Sequence, residues 1–79
     1  MSWNHLPPYE REQLNARLTD RQFACYVLWL AGTNPRGQRT FGYSQIASYL
    51  GISRSTAITH VRRARAIHEE VQAELLEAA

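Results

Sequence analysis

The sequence predicts an all-α domain of four to five helices, and three observations carry that expectation. Residues 42–65 read G-Y-S-Q-I-A-S-Y-L-G-I-S-R-S-T-A-I-T-H-V-R-R-A-R, with small, turn-forming and capping residues where two closely linked helices need them. Residues 19–22, T-D-R-Q, form a capping box ahead of an apolar stretch that reaches Ala31. From Val61 to Ala78 the residues Val61, Ala64, His68, Val71, Leu75 and Ala78 alternate steps of three and four, the spacing of a single helical seam.

In chain order, residues 1–6 read as a frayed arm, although Trp3 can fold back onto the core. Pro7 and Pro8 end that arm, and proline fits the first turn of a helix, so a helix is expected over 8–17. Glu10 and Glu12 would lie near its positive N-terminal end. Its apolar stripe is thin: Tyr9, Leu14, Ala16 and Leu18. A second helix starts at Asp20, because the Thr19 side chain can accept from the N–H of Gln22 while Gln22 reaches back, and Gly32 stops it. Carrying Phe23, Tyr26, Val27, Leu28, Trp29 and Leu30, it is apolar over much of its circumference and reads as the central core helix. The competing reading of its aromatic residues is a ligand platform. Cys25 is the single cysteine and reads as a buried thiol.

Residues 32–41, G-T-N-P-R-G-Q-R-T-F, are rich in turn formers and read as a loop. Phe41 and Tyr43 would pack across the start of a third helix over 43–50. Ala47 is the small residue where that helix would cross the next. Gly51 follows the last apolar position, where the chain must turn left-handed, and Ser53 is placed to cap a helix that begins at Arg54. Ile46, Leu50, Ile52, Ala57 and Val61 fall on the inward faces. This is the layout of a helix-turn-helix over 42–65. The last helix continues into a tail, 66–79, in which Glu69, Glu70, Glu74 and Glu77 surround the seam. Two arrangements of that seam are open: packing along the 8–17 helix of the same chain, or a homodimer through 61–78.

The run I-A-x-x-L-G-I-S-R-S-T-x-x-x-x-V-x-R-A-R, residues 46–65, resembles the domain of bacterial sigma factors that reads the minus-thirty-five promoter element. It is also similar to the helix-turn-helix of LuxR-type response regulators. Residues 18–22, L-T-D-R-Q, resemble the opening of the preceding helix in both families. The resemblance covers 18–65, with an unusual gap at 32–41, and it implies a bacterial or phage DNA-binding domain. Gly42 stands where Ser or Thr is usual, and Ile58 where a polar or basic residue is common.

Charge distribution points the same way. The formal net charge is only +2, yet residues 21–68 hold seven arginines and no acid, the footprint of a polyanion partner. All nine basic residues are Arg and none is Lys. Arginine suits bidentate contact with phosphate or guanine, and genomic base composition explains the same bias. No apolar run approaches the ~18 residues of a membrane span, and the N-terminus lacks the order of a secretory signal, so a cytoplasmic, nucleoid-associated protein without membrane contact is expected.

With Ala57, Val61 and Ala64 buried, the opposite face of the last helix carries Ser55, Thr59, Arg62 and Arg63, flanked by Arg54 and Ile58. That face is expected to enter the major groove of duplex DNA. The sigma-like resemblance makes Arg54, Ser55, Ile58 and Thr59 the base-reading positions. Arg54 suits guanine O6 and N7, while Ile58 and the Thr59 methyl suit a thymine methyl. Arg62, Arg63 and Arg65 lie nearer the backbone, and Ser44 can touch phosphate. Arg36 and Arg39 make the 32–41 loop either a phosphate-contacting or minor-groove arm, or a solvated insertion. His5, His60 and His68 have no carboxylate partner within reach in the sequence, and no ligand spacing for a metal is present, so neither an enzyme nor a cofactor is expected. The expected role is a single-domain (1–79) transcriptional regulator. Its rivals are a stand-alone sigma-like module binding RNA polymerase, a phage-type packaging or recombination accessory protein, and a helical protein-interaction module.

Overall fold

Four α-helices follow an N-terminal 3₁₀ turn, Trp3–His5: α1 Pro8–Arg17, α2 Asp20–Ala31, α3 Tyr43–Leu50 and α4 Arg54–Ala78. The computed structural model describes residues 3–33 and 36–78. Expectations for Met1, Ser2, Asn34, Pro35 and Ala79 lie outside the described residues.

Local chemistry accounts for each boundary. Pro8 opens α1, and no side chain caps it. At the start of α2 both halves of the capping box form: Gln22 N donates to Thr19 Oγ1 at 3.2 Å, and Thr19 N donates to Gln22 Oε1 at 3.1 Å. Gly42, having no side chain, offers only half a box to α3, its N–H donating to Gln45 Oε1 at 3.0 Å. Gly51 ends α3 with φ +69°, in the left-handed region where a side chain would be strained. Ser53 Oγ accepts from Thr56 N at 3.1 Å, so α4 begins on a capped turn.

The long helix α4 is the central element and packs against α1, α2 and α3 alike. This corrects the expectation that α2 would be central. Only Gln22, Cys25 and Tyr26 of α2 are buried, whereas α4 buries Ala57, Val61, Ala64, His68 and Val71 along one stripe. Leu14, Ile46, Val61 and Val71 are wholly out of water, worth about 1.5–3 kcal/mol each in apolar transfer. Residues 3–6 are also better ordered than a frayed arm. Leu6 N donates to Trp3 O, Leu6 is buried, and the Trp3 and Phe23 rings meet edge-on with centroids 4.8 Å apart.

The seam settles within the chain. Val61 to Val71 are covered by the chain's own helices, and Arg17 of α1 forms a two-bonded ion pair with Glu74, at 3.2 and 2.7 Å. A homodimer through 61–78 would have to use residues already buried; beyond Val71 only half-buried Leu75 and exposed Ala78 are left of that seam. Among the described residues no helix is long and apolar enough to cross a membrane.

Gly32 holds the loop by close approach and not by an unusual dihedral, since its φ is −82°. A Cβ there would lie 2.6 Å from both Phe41 Cβ and Phe41 O. Its carbonyl accepts from Thr40 N at 2.7 Å, Phe41 N at 3.2 Å and Thr40 Oγ1 at 3.1 Å. An isolated antiparallel bridge between Thr33 and Arg39 closes the same turn. Gly32→Ala is therefore expected to destabilise the domain by about 1–3 kcal/mol through forced overpacking against backbone, read as a lower urea midpoint. An unchanged midpoint would refute the close contact.

Candidate nucleic-acid interface

Because the stripe from Ala57 to Val71 is held against the other helices, the rest of α4 is turned outward. Arg54, Ser55, Thr59, Arg62, Arg63 and Arg65 are all exposed, and Ile58 is half-buried on their flank. Ser44 is exposed in the first turn of α3, next in sequence to Tyr43. The Thr59 hydroxyl donates to the Ser55 carbonyl at 2.9 Å, so its proton is used within the helix.

Among the described residues, Arg54, Arg62, Arg63 and Arg65 make no ion pair, unlike Arg17. Twelve residues from Arg54 to Arg65 span about 18 Å, more than the ~12 Å width of a major groove. From Glu69 onward the outward charge of the helix becomes acidic, which ends the cationic surface.

The loop joins this surface through a stack of rings. Trp29 and Tyr43 lie nearly parallel, with centroids 4.4 Å apart and planes at 13°. The Arg39 guanidinium covers Trp29 at 3.3 Å from the ring centroid, and Arg39 Nη1 donates to the Trp29 carbonyl. At the other end Arg54 lies 6.0 Å from the Tyr43 centroid. Burial pushes Arg39 below the usual arginine range, with Arg65 close enough to add like-charge repulsion. The Arg39 side of the loop is thus tied to α2 through Trp29, while Arg39 itself stays exposed. Arg36 is exposed on the same loop.

A second polar cluster escaped the sequence. The sequence places Glu10 near the N-terminal end of α1 and His68 in the seam, with no carboxylate in reach of the histidine. The structure buries both and brings them together. His68 Nε2 lies 2.8 Å from Glu10 Oε2, and His68 Nδ1 lies 2.6 Å from the Tyr26 hydroxyl. The three residues are 6, 8 and 3% exposed in the order His68, Glu10, Tyr26, so the line ties α1, α4 and α2 together and offers a substrate no access. Burial first, and the nearby Glu69 and Glu10 charges next, push the Tyr26 phenol up to about 12, against the opposing effect of Arg65. The phenol thus keeps its proton and can donate to Nδ1, leaving Nε2–H for the carboxylate.

This has a consequence at high pH. Between the ordinary phenol value of 10.0 and about 12, the unfolded chain has released a proton that the folded chain still holds. Stability should therefore fall as pH rises through that window. Urea unfolding at stepped alkaline pH checks the expectation; Tyr26→Phe should flatten the decline, and an equally steep decline in that variant would refute it.

Cys25 is a free, fully buried thiol whose pKa burial raises, as expected of an inert core group. Among the described residues no three His, Cys, Asp or Glu side chains gather to hold a metal ion. No protein-family model, curated protein or solved structure matches the chain.

Proposed function

We propose that the protein binds duplex DNA sequence-specifically, as a small helix-turn-helix transcriptional regulator with α4 in the major groove. The observation that carries this reading is the exposed, unpaired arginine face of a capped helix whose opposite side is fully used in holding the domain together. α3, the left-handed turn at Gly51 and the Ser53 cap fix the direction in which that helix leaves the body.

Arg54, Ser55, Ile58 and Thr59 occupy the first turns of α4, which reach deepest into a groove. Arg54 reads guanine, and the Thr59 methyl and Ile58 meet thymine methyls. Arg62, Arg63 and Arg65 hold phosphates further along, and Arg39, Arg36 and Ser44 meet the backbone from the loop and from α3. The resemblance of residues 46–65 to sigma and LuxR-type domains agrees with these roles.

Selection of bound sites from random duplex DNA tests the proposal, and it should return a defined site of one major-groove face. Binding should weaken steeply with salt, and Arg62→Ala should weaken cognate and random duplexes alike while flattening the slope of log affinity against log salt by about one unit. Absence of salt-dependent DNA binding would leave a helical interaction module in its place. A polymerase pull-down that survives nuclease would favour the sigma-like module.

A further inference from the structure

We infer that Trp29 and Tyr43 are positioning residues for sequence choice: their stack joins Arg39 on the loop to Arg54 on the reading face, setting the offset between a backbone contact and a base contact. The inference rests on the DNA-binding reading above and specifies how its site is aligned.

The separations along the stack are 3.3 Å from Arg39 to Trp29, 4.4 Å between the rings, and 6.0 Å from Tyr43 to Arg54. A guanidinium and a parallel ring this close to one indole cannot share a face, so Trp29 lies between them. The contacts among Arg39, Trp29 and Tyr43 fix the Tyr43 ring, and that ring in turn draws the Arg54 guanidinium toward its face and narrows the freedom that a long arginine side chain otherwise keeps. The far end is anchored as well. Arg39 donates to the Trp29 carbonyl, and the Thr33–Arg39 bridge with the Gly32 carbonyl holds the chain around it.

Tyr43 belongs to the first turn of α3 and Trp29 to the last turn of α2, so the loop, α2 and α3 meet in one stack whose Tyr43 end lies within cation–aromatic reach of Arg54. An aromatic pair needed only for packing would have no reason to end in a cation on both sides. Here one cation lies on the base-reading face and the other on the loop beside it. A phosphate held by Arg39 therefore fixes where along the groove Arg54 arrives.

The test is a double-mutant cycle read as discrimination, meaning affinity for the selected duplex over affinity for a random duplex. Tyr43→Leu should lower that ratio roughly two- to fivefold, the scale of one exposed cation–aromatic contact, and should lower it no further when Arg54 is already Ala. Tyr43→Phe, which keeps the ring, should stay near wild type. Circular dichroism establishes that each variant is folded. If Tyr43→Leu is not, Arg39→Gln provides the same cycle from the exposed end of the stack and should show the same coupling to Arg54→Ala. Purely additive losses in the cycle, or an unchanged ratio in the folded variants, would overturn the positioning role while leaving DNA binding standing. An Arg54→Ala protein that still discriminates like wild type would overturn the positioning role together with the base-reading assignment of Arg54, whereas only absence of salt-dependent DNA binding would overturn the function itself.

Discussion

Leu14→Ala is expected to remove about 2–5 kcal/mol of folding stability, the range for emptying a fully buried leucine site. Leu14 is 0% exposed and is the main apolar anchor of α1, a helix with no side-chain cap. Two polar contacts also join it to α4, Glu10–His68 and the exposed Arg17–Glu74 ion pair. The ion pair is worth at most about 1 kcal/mol in water, so it cannot compensate for the lost leucine. A domain of this length has roughly 4–12 kcal/mol in total, and the variant should melt many degrees lower with an unchanged dependence on urea concentration. A loss below about 1 kcal/mol would show that α1 is held by something other than its buried face.

Replacing Arg54 and Arg62 together should weaken binding to the selected duplex by about 2–4 kcal/mol. The two residues lie eight apart on α4, far enough for their effects to add approximately. Of this, about 1–3 kcal/mol belongs to Arg54 and should appear as lost discrimination at one base pair; the Arg62 share should appear on every sequence and shrink as salt rises. Titration of a labelled duplex at two salt concentrations separates the shares. Equal losses on selected and random DNA for Arg54→Ala would remove it from the base-reading set.

Local punctuation makes most of the fold legible in the sequence. The capping box at Thr19 and Gln22, the left-handed glycine at Gly51 and the Ser53 cap act within a few residues of themselves, so their spacing alone locates the helix boundaries. The exposed face of α4 was legible for the same reason, since helical periodicity separates Ala57, Val61 and Ala64 from the arginines.

What stayed hidden depends on distant pairs. Glu10 and His68 are 58 positions apart, and nothing near either one signals that the other will meet it. The prominence of α2 was overestimated because an apolar circumference says that a helix can be buried, not how much of it is; α4, with Ala and His in its stripe, buries more. The glycine at 32 looked like an ordinary stop signal, whereas its role comes from Phe41, nine residues on. For the Arg39, Trp29 and Tyr43 column a faint sign existed: aromatic residues flank both sides of a loop that carries arginine. Only the closure of that loop turns the sign into a contact.

The separation of charge along α4 bears on how the protein meets a partner before touching it. Arginines gather at one end of a 25-residue rod and carboxylates at the other, which gives the molecule a standing electrical polarity. In the field of any long polyanion it will rotate while still several ångströms away, leading with its arginine end and repelled when the glutamates face forward. Productive collisions then make up a larger fraction of all collisions at low ionic strength, and that advantage fades as added salt shortens the reach of the field.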